Sequence, residues 1–330
     1  MSHTVTEDDS TSPRREPGKV AVVRRASFVL VLVTLLWGMS FPWTKRWQEA
    51  SAECPGGAVS ASLTLIVLRM VLALTILALW QPGLYRRPTR GEHAAGALLG
   101  ATFFAGFLPQ TVGLAYTTPA LSAFFTGLAC GWAPLFGWLL FRTPVARLTM
   151  LGLGVALTGM VVLVEGGWTL GFGEGLSIAS SLAFGAQILV LDRLARRFSP
   201  AHLTPGFFAG TALLGLIGLC VCAATGPSLT AMAGWTATML RRPQVLLDLF
   251  LLALLPTVLS FHWMNIYQPR VPASRAALIY LLEPIFSSVF SVCLGYDSLK
   301  TPLLLGGALI LLGNLLVEVP GLIARRSAGS

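Results

Sequence analysis

Charge is what this 330-residue chain has little of: Asp, Glu, Lys and Arg make up only 11% of it, less than half the roughly 25% of an average soluble domain. A water-facing surface takes about 25–35% charged residues, and this chain cannot cover one. The shortage excludes a soluble enzyme, a disordered chain and a nucleic-acid binder, in spite of the net charge of +9. Cysteine is also sparse. The five (Cys54, Cys130, Cys220, Cys222, Cys293) form no CxxC pair and have no histidine at zinc spacing, so neither a disulfide framework nor a metal site is expected. No Walker A string occurs either. The Gly-rich stretch "GLGVALTG" at 152–159 has no lysine and lies in an apolar run, so it is no phosphate loop, and ATP-driven transport by this chain alone is excluded.

What remains is apolar: 55% of residues, with a mean hydropathy of +0.74 and 34 glycines. The apolar segments are 26–44, 60–80, 94–114, 119–141, 148–166, 174–192, 203–224, 246–267, 276–296 and 302–320. A membrane-spanning helix takes about 20 residues, so these segments predict an all-α polytopic protein with ten transmembrane helices. They are too long and too uniformly apolar for barrel strands, which alternate over about ten residues. In lipid each backbone polar group must be satisfied within its own segment, which a helix does. No small-residue cleavage site follows the first run, which is read as an uncleaved helix.

Lysine and arginine set the direction. With the N-terminus in the cytoplasm, 17 of the 23 fall on cytoplasmic segments. Only Lys45, Arg46, Arg241, Arg242 and Lys300 fall outside, and Arg69 lies within a span. Both termini are therefore expected in the cytoplasm, and the protein in the cell (inner) membrane. The longest connection, 225–245, is read as an outer loop with Trp235 at the interface.

The chain also resembles itself. Pro134 in "APLFGWLL" answers Pro284 in "EPIFSSVF", and Gly152 and Gly159 answer Gly306 and Gly313 at the same spacing. Trp37-Gly38 answers Phe184-Gly185. The expected organisation is a cytoplasmic tail (1–25), a five-helix repeat (26–166), a second five-helix repeat (174–320) and a short cytoplasmic tail (321–330). Five is odd, so the second copy enters the membrane upside down. Inverted repeats of this kind belong mainly to transporters, with the site at mid-depth between the halves.

At the level of motifs the sequence resembles the EamA-type transporters of the drug/metabolite transporter superfamily. "LLWGMSFPWTK" is similar to the family's first helix, "VLRMVLALTIL" to its second, and "QTVGLAYTTPALSAFFTGL" to its third and fourth. "FGAQILVLDRLARRF" is similar to the sixth, and "PASRAALIYLLEPIF" to the ninth. Where the family often has Gly-Glu after helices four and nine, this chain reads Phe141-Arg142-Thr143 and Gly295-Tyr296-Asp297. The resemblance implies a secondary active transporter of small metabolites, amino acids or drug-like solutes, working by alternating access and mostly outward. A transporter of nucleotide sugars or lipid-linked sugars is the alternative within the superfamily. A membrane-embedded lipid-modifying enzyme is a distant one, since no cluster of catalytic groups stands at an interface. The partners expected are a small-molecule solute, protons or an exchanged solute, the lipid bilayer and, as an open alternative, a second copy of the chain. No cofactor, metal or nucleic acid is expected.

Polar residues inside the spans are the site candidates, because each is costly there without a role or a partner. Glu283 is the sharpest: it can take up and release a proton as access alternates, or be a neutral group in a structural kink. Pro284 after it has no N–H, which frees the carbonyl of Tyr280; Pro134 is the matching kink. Arg69 stays charged and needs an acid, a wet cavity or carbonyls; pairing with Glu283, the other charge well inside the spans, stands beside snorkelling to an interface or locking of helices. His262 can relay protons and stands near Asn265. Gln110, Tyr116 and Gln187 can bond polar solutes or glue helices. Trp37, Trp132 and Trp138 offer π faces, while Trp43, Trp47, Trp80 and Trp168 are expected at the interface. A phosphatase active only outside the cytoplasm, fused after Ser330, is expected to be inactive. Inserted within 225–245 it is expected to be active, and the reverse pattern contradicts the orientation.

Overall fold

The computed structural model describes residues 17–86, 88–142, 146–163, 170–271 and 279–327. Among the described residues all regular structure is helical. The helices are α1 (Pro17–Ala50), α2 (Gly57–Trp80), α3 (Gly83–Arg86), α4 (Arg90–Gly113), α5 (Pro119–Gly127), α6 (Ala129–Phe141) and α7 (Arg147–Leu163). The second half holds α8 (Phe172–Ala195), α9 (Pro200–Thr225), α10 (Leu229–Leu240), α11 (Pro243–Ala253), α12 (Ser260–Tyr267), α13 (Leu282–Cys293) and α14 (Thr301–Ser327). A π-helical turn, Leu254–Leu259, joins α11 to α12 without a break.

Among the described residues seven stretches are long and apolar enough to cross a membrane: Ala21–Ala50, Gly57–Trp80, Arg90–Gly113, Pro119–Leu139, Phe172–Ala195, Pro200–Thr225 and Pro243–Met264. Three further apolar helices, Arg147–Val162, Leu282–Cys293 and Thr301–Leu316, are shorter. Each of the ten apolar segments of the sequence thus carries helix. Leucines on the outer faces, such as Leu79, Leu139 and Leu213, are left exposed as a lipid-facing surface would require.

Three local readings differ from expectation. Helix α1 reaches back to Pro17, nine residues before the apolar segment begins at 26, so Lys19, Arg24 and Arg25 of the polar tail are helical. The 225–245 connection is not an open loop. It holds α10, whose first turn is capped by Ser228 accepting from the Ala231 N–H at 3.3 Å. Trp43 and Trp47, expected at the interface, are 9% and 2% exposed. Trp47 Nε1 donates to the Ala61 carbonyl at 3.0 Å, and its ring meets Trp235 edge-on. Helix α1 outruns its apolar segment, which carries these indoles into the space between α1, α2 and α10. Cys54, in the turn after α1, is buried, and that burial pushes its thiol up to about 11.

Small residues set how the helices approach. A Cβ on Gly96 would fall 2.4 Å from the Leu203 carbonyl oxygen, and one on Gly100 2.4 Å from that of Phe207, so α4 and α9 run parallel along a glycine seam. Helices α7 and α14 cross in opposite directions: a Cβ on Gly159 would fall 2.7 Å from the Gly306 carbonyl oxygen, and one on Gly313 2.5 Å from that of Gly152. The glycines paired in sequence are thus paired again in space, each on the counterpart of the other. Helix α1 follows α13 in parallel, from Leu30 beside Tyr280, through Gly38 at Phe286, to Glu49 at Tyr296. Helices α13 and α5 are antiparallel, with Ser287 bonded to the Pro119 carbonyl and Pro284 against Gly127. The α5–α6 pair lies parallel to α8 through Ser122–Ser177 and Trp132–Ser181. It follows that α1 and α8 run in opposite directions.

Alanine at Gly159 or Gly313 must push backbone apart, which predicts destabilisation of about 1–3 kcal/mol. Nothing lies within 4 Å of a Cβ at Gly154, so Gly154→Ala is expected to be neutral or slightly stabilising. Melting temperatures of the purified variants in one detergent check this. Equal losses at all three positions would contradict the seam.

Candidate functional site

Pro256 lacks an N–H, so the carbonyl four residues before it, that of Leu252, has no ordinary helical donor. The chain answers with a wider π turn, a feature that recurs at functional sites. Thr257 Oγ1 donates to the Leu252 carbonyl at 2.8 Å, and Ser260 Oγ to that of Leu255 at 2.9 Å. Both hydroxyls are fully buried.

Two other helices converge on this turn. From α1, Trp37 Nε1 donates to the Pro256 carbonyl at 3.2 Å. From α2, Arg69 Nε donates to Thr257 Oγ1 at 2.7 Å. Arg69 is 4% exposed, and its guanidinium lies over the Phe107 ring, 5.0 Å from the centroid. Its Nη1 is buried and has no hydrogen-bond partner among the described residues. Phe107 belongs to a layer of touching rings with Phe103, Phe184, Phe207 and Phe261, with Phe103–Phe107 centroids 4.8 Å apart and Phe207–Phe261 5.0 Å. Trp37 joins this layer through Phe261 (5.8 Å) and Tyr280 (5.5 Å), and Tyr280 Oη donates to Gln268 Oε1 at 2.8 Å.

Glu283 stands in the first turn of α13, partly buried, where the backbone of α13 meets Gly38. Trp37, Arg69, Tyr280 and Glu283 are therefore brought to neighbouring positions on α1, α2 and α13 about the π turn. Of the readings open for Arg69, the ion pair with Glu283 is not the one formed: a threonine hydroxyl and an aromatic face take the guanidinium. The helix at Ile279–Tyr280 is interrupted by a turn at Leu281 and resumes at Leu282, within one turn of Pro284, whose missing N–H leaves the Tyr280 carbonyl without its helical donor.

The other candidates lie elsewhere. Gln110 is buried on α4 and donates to Thr126 Oγ1 at 3.3 Å, gluing α4 to α5. Tyr116 is 56% exposed at the end of α4, edge-on to Phe172. Gln187 is partly exposed on α8, one turn beyond Phe184. His262 turns away from the layer onto Trp80, at 4.7 Å. Trp138 is 55% exposed on the outer face of α6. Pro134 and Asn265 lie in α6 and α12, with side chains outside the described residues, as does all of Trp168.

Sequence reasoning missed Pro256 and Thr257, although a proline inside the apolar run "LLPTVLSF" was the available signal. It also missed Asp248. That carboxylate, 4% exposed, accepts from Arg46 at 3.1 and 3.3 Å and from Gln244 at 3.0 Å, tying α1 to α11. Asp297 accepts from the Ala120 N–H at 3.3 Å and from Ser291, capping α5 from the loop before α14. Among the described residues no three His, Cys, Asp or Glu side chains gather as a metal site.

Thr257→Val deletes the acceptor under Arg69 and leaves a buried charged donor unbonded. A loss of about 1–3 kcal/mol is expected, with Thr257→Ser close to the parent. Thermal unfolding in detergent reads this, and equal stability of the valine and serine variants would contradict it.

With this geometry in hand, known proteins give a consistent match. Residues 171–319 match the EamA-like transporter family. The chain is 26% identical over 308 residues to an uncharacterized transporter of Archaeoglobus fulgidus, covering 92% of this chain and 90% of that protein. A solved crystal structure shares the fold, with a TM-score of 0.57 over 92% of this chain and 98% of its own, at 19% identity. Residues 171–319 thus carry an EamA-like transporter domain, in a chain whose apolar helices and likeness to a protein named as a transporter mark a membrane transporter.

Proposed function

We propose that all ten apolar segments cross the membrane, with both termini in the cytoplasm, as two inverted five-helix halves, 26–166 and 174–320. The observation that carries this is the reciprocal crossing of α7 and α14. Gly159 on Gly306 and Gly313 on Gly152 is the contact that two equivalent helices make across a two-fold axis lying in the membrane plane. The opposed directions of α1 and α8 support it.

The halves then rock about this crossing, exposing the site beside the π turn first to one side and then to the other. Two places are built to bend: the π turn at Leu254–Leu259 and the break at Leu281 before Glu283-Pro284. The ties Arg46–Asp248 and Asp297–Ala120 lie at one end of the bundle and must open and re-form in each cycle. The solute is a small organic metabolite, amino acid or drug-like molecule moved outward from the cell membrane's inner face. Glu283, beside the α1–α13 contact, carries the proton in coupled transport. A carboxyl in that position alternates between neutral and charged as its surroundings dry and wet.

Metabolite profiling of cells and medium, with and without overexpression, identifies the solute, and purified protein in liposomes then tests transport. Glu283→Gln is expected to abolish accumulation driven by an imposed pH gradient while solute-for-solute exchange persists. Undiminished gradient-driven accumulation in that variant would contradict coupling through Glu283.

A further inference from the structure

We infer that Cys54 and Cys222 form a disulfide at the outer end of the bundle, a staple that ties the first half of the chain to the second. This rests on the orientation under the proposed function. That orientation puts the turn after α1 and the end of α9 on the outer face of the membrane, where disulfides form and persist. Spacing in the sequence pairs no cysteines here; the packing of α2 against α9 does.

These two helices run antiparallel. A Cβ on Gly215 would fall 2.8 Å from Val67 Cγ2, and one on Gly218 2.7 Å from Leu63 Cδ2. The same order continues past the helix ends, where a Cβ on Gly56 would fall 3.2 Å from Pro227 Cγ. Residues three and four apart share one face of a helix. The face that turns Gly215 and Gly218 to α2 therefore turns Cys222 to it as well, at the level of the first turn of α2. Cys54 stands over that turn: its carbonyl accepts from the Gly57 N–H at 2.9 Å, and it is buried. Its thiol is raised first by that burial and then by the charge of Cys222, which reaches it across the contact. Cys220 is exposed, two positions back and so on the opposite side of α9. Cys130 and Cys293 belong to α6 and α13.

Both groups are thiols in this structure. The oxidant is a disulfide-bearing oxidoreductase of the outer compartment. Cys222, the more exposed of the two, attacks as thiolate, forming a mixed disulfide and releasing one thiol of the oxidoreductase. The Cys54 thiolate then attacks the Cys222 sulfur and releases the second. Two electrons and both protons leave on the reduced dithiol.

The test begins with expressing cells quenched with N-ethylmaleimide, followed by mass spectrometry of unreduced peptides from the purified full-length chain. A Cys54–Cys222 linked peptide is expected from most chains, and Cys54→Ser or Cys222→Ser should leave the other thiol alkylated. The oxidised parent should melt about 5 °C above the reduced one, a difference absent from both variants. Purified, reduced protein is also incubated with oxidised glutathione. No link in either sample, or a link from Cys54 to a different cysteine, overturns the inference. A link that forms only with oxidised glutathione leaves the pairing standing and overturns the outward placement of this end, which a phosphatase inserted within 225–245 reads by itself.

Discussion

The hydrogen bond from Arg69 to Thr257 holds the centre of this bundle together, and it exists because Pro256 cannot donate one. Proline removes an N–H, the helix widens by one residue, and the threonine hydroxyl turns inward to the orphaned Leu252 carbonyl. That hydroxyl then offers its oxygen to a guanidinium from another helix. A charge that would cost several kcal/mol if buried alone is thereby fixed at mid-bundle, though not neutralised. Trp37 locks onto the same turn from α1. Three helices from two halves of the chain thus meet at one irregular turn, while their glycine seams let the rest of the backbone close around it.

Much of the architecture was legible because lipid writes its demands directly into composition. The ten apolar segments each carry helix, and the spacing of Gly152 and Gly159 against Gly306 and Gly313 reappears as mutual contact. Close approach in an apolar solvent needs small residues, so a repeated glycine spacing marks a packing line even in a single sequence.

The partners were not legible. The apolar pattern of a span says that it is buried, not which face turns to which neighbour, so it cannot choose among an acid, a cavity and a carbonyl for Arg69. A hydroxyl and a ring satisfied it instead. Trp43 and Trp47 misled for a related reason: indole suits an interface and a helix seam equally well, and only the length of α1 decides between them. Asp248 stands near the edge of an apolar run, where nothing in the sequence marks that Arg46 and Gln244 enclose it. Helix α10, rich in Ala and Thr, has no strong pattern of its own and forms because Met232, Trp235 and Met239 find cover on the bundle.

The central claim is that the π-turn region is reached alternately from both faces of the membrane by rocking of two inverted halves. The most direct measurement uses Phe261→Cys in a chain whose five native cysteines are replaced by serine. It is labelled with a membrane-impermeant thiol reagent in sealed vesicles of each orientation. Labelling from either side, slowed by bound solute in both, is the predicted result. Labelling from one side alone, whatever solute is present, would contradict the account.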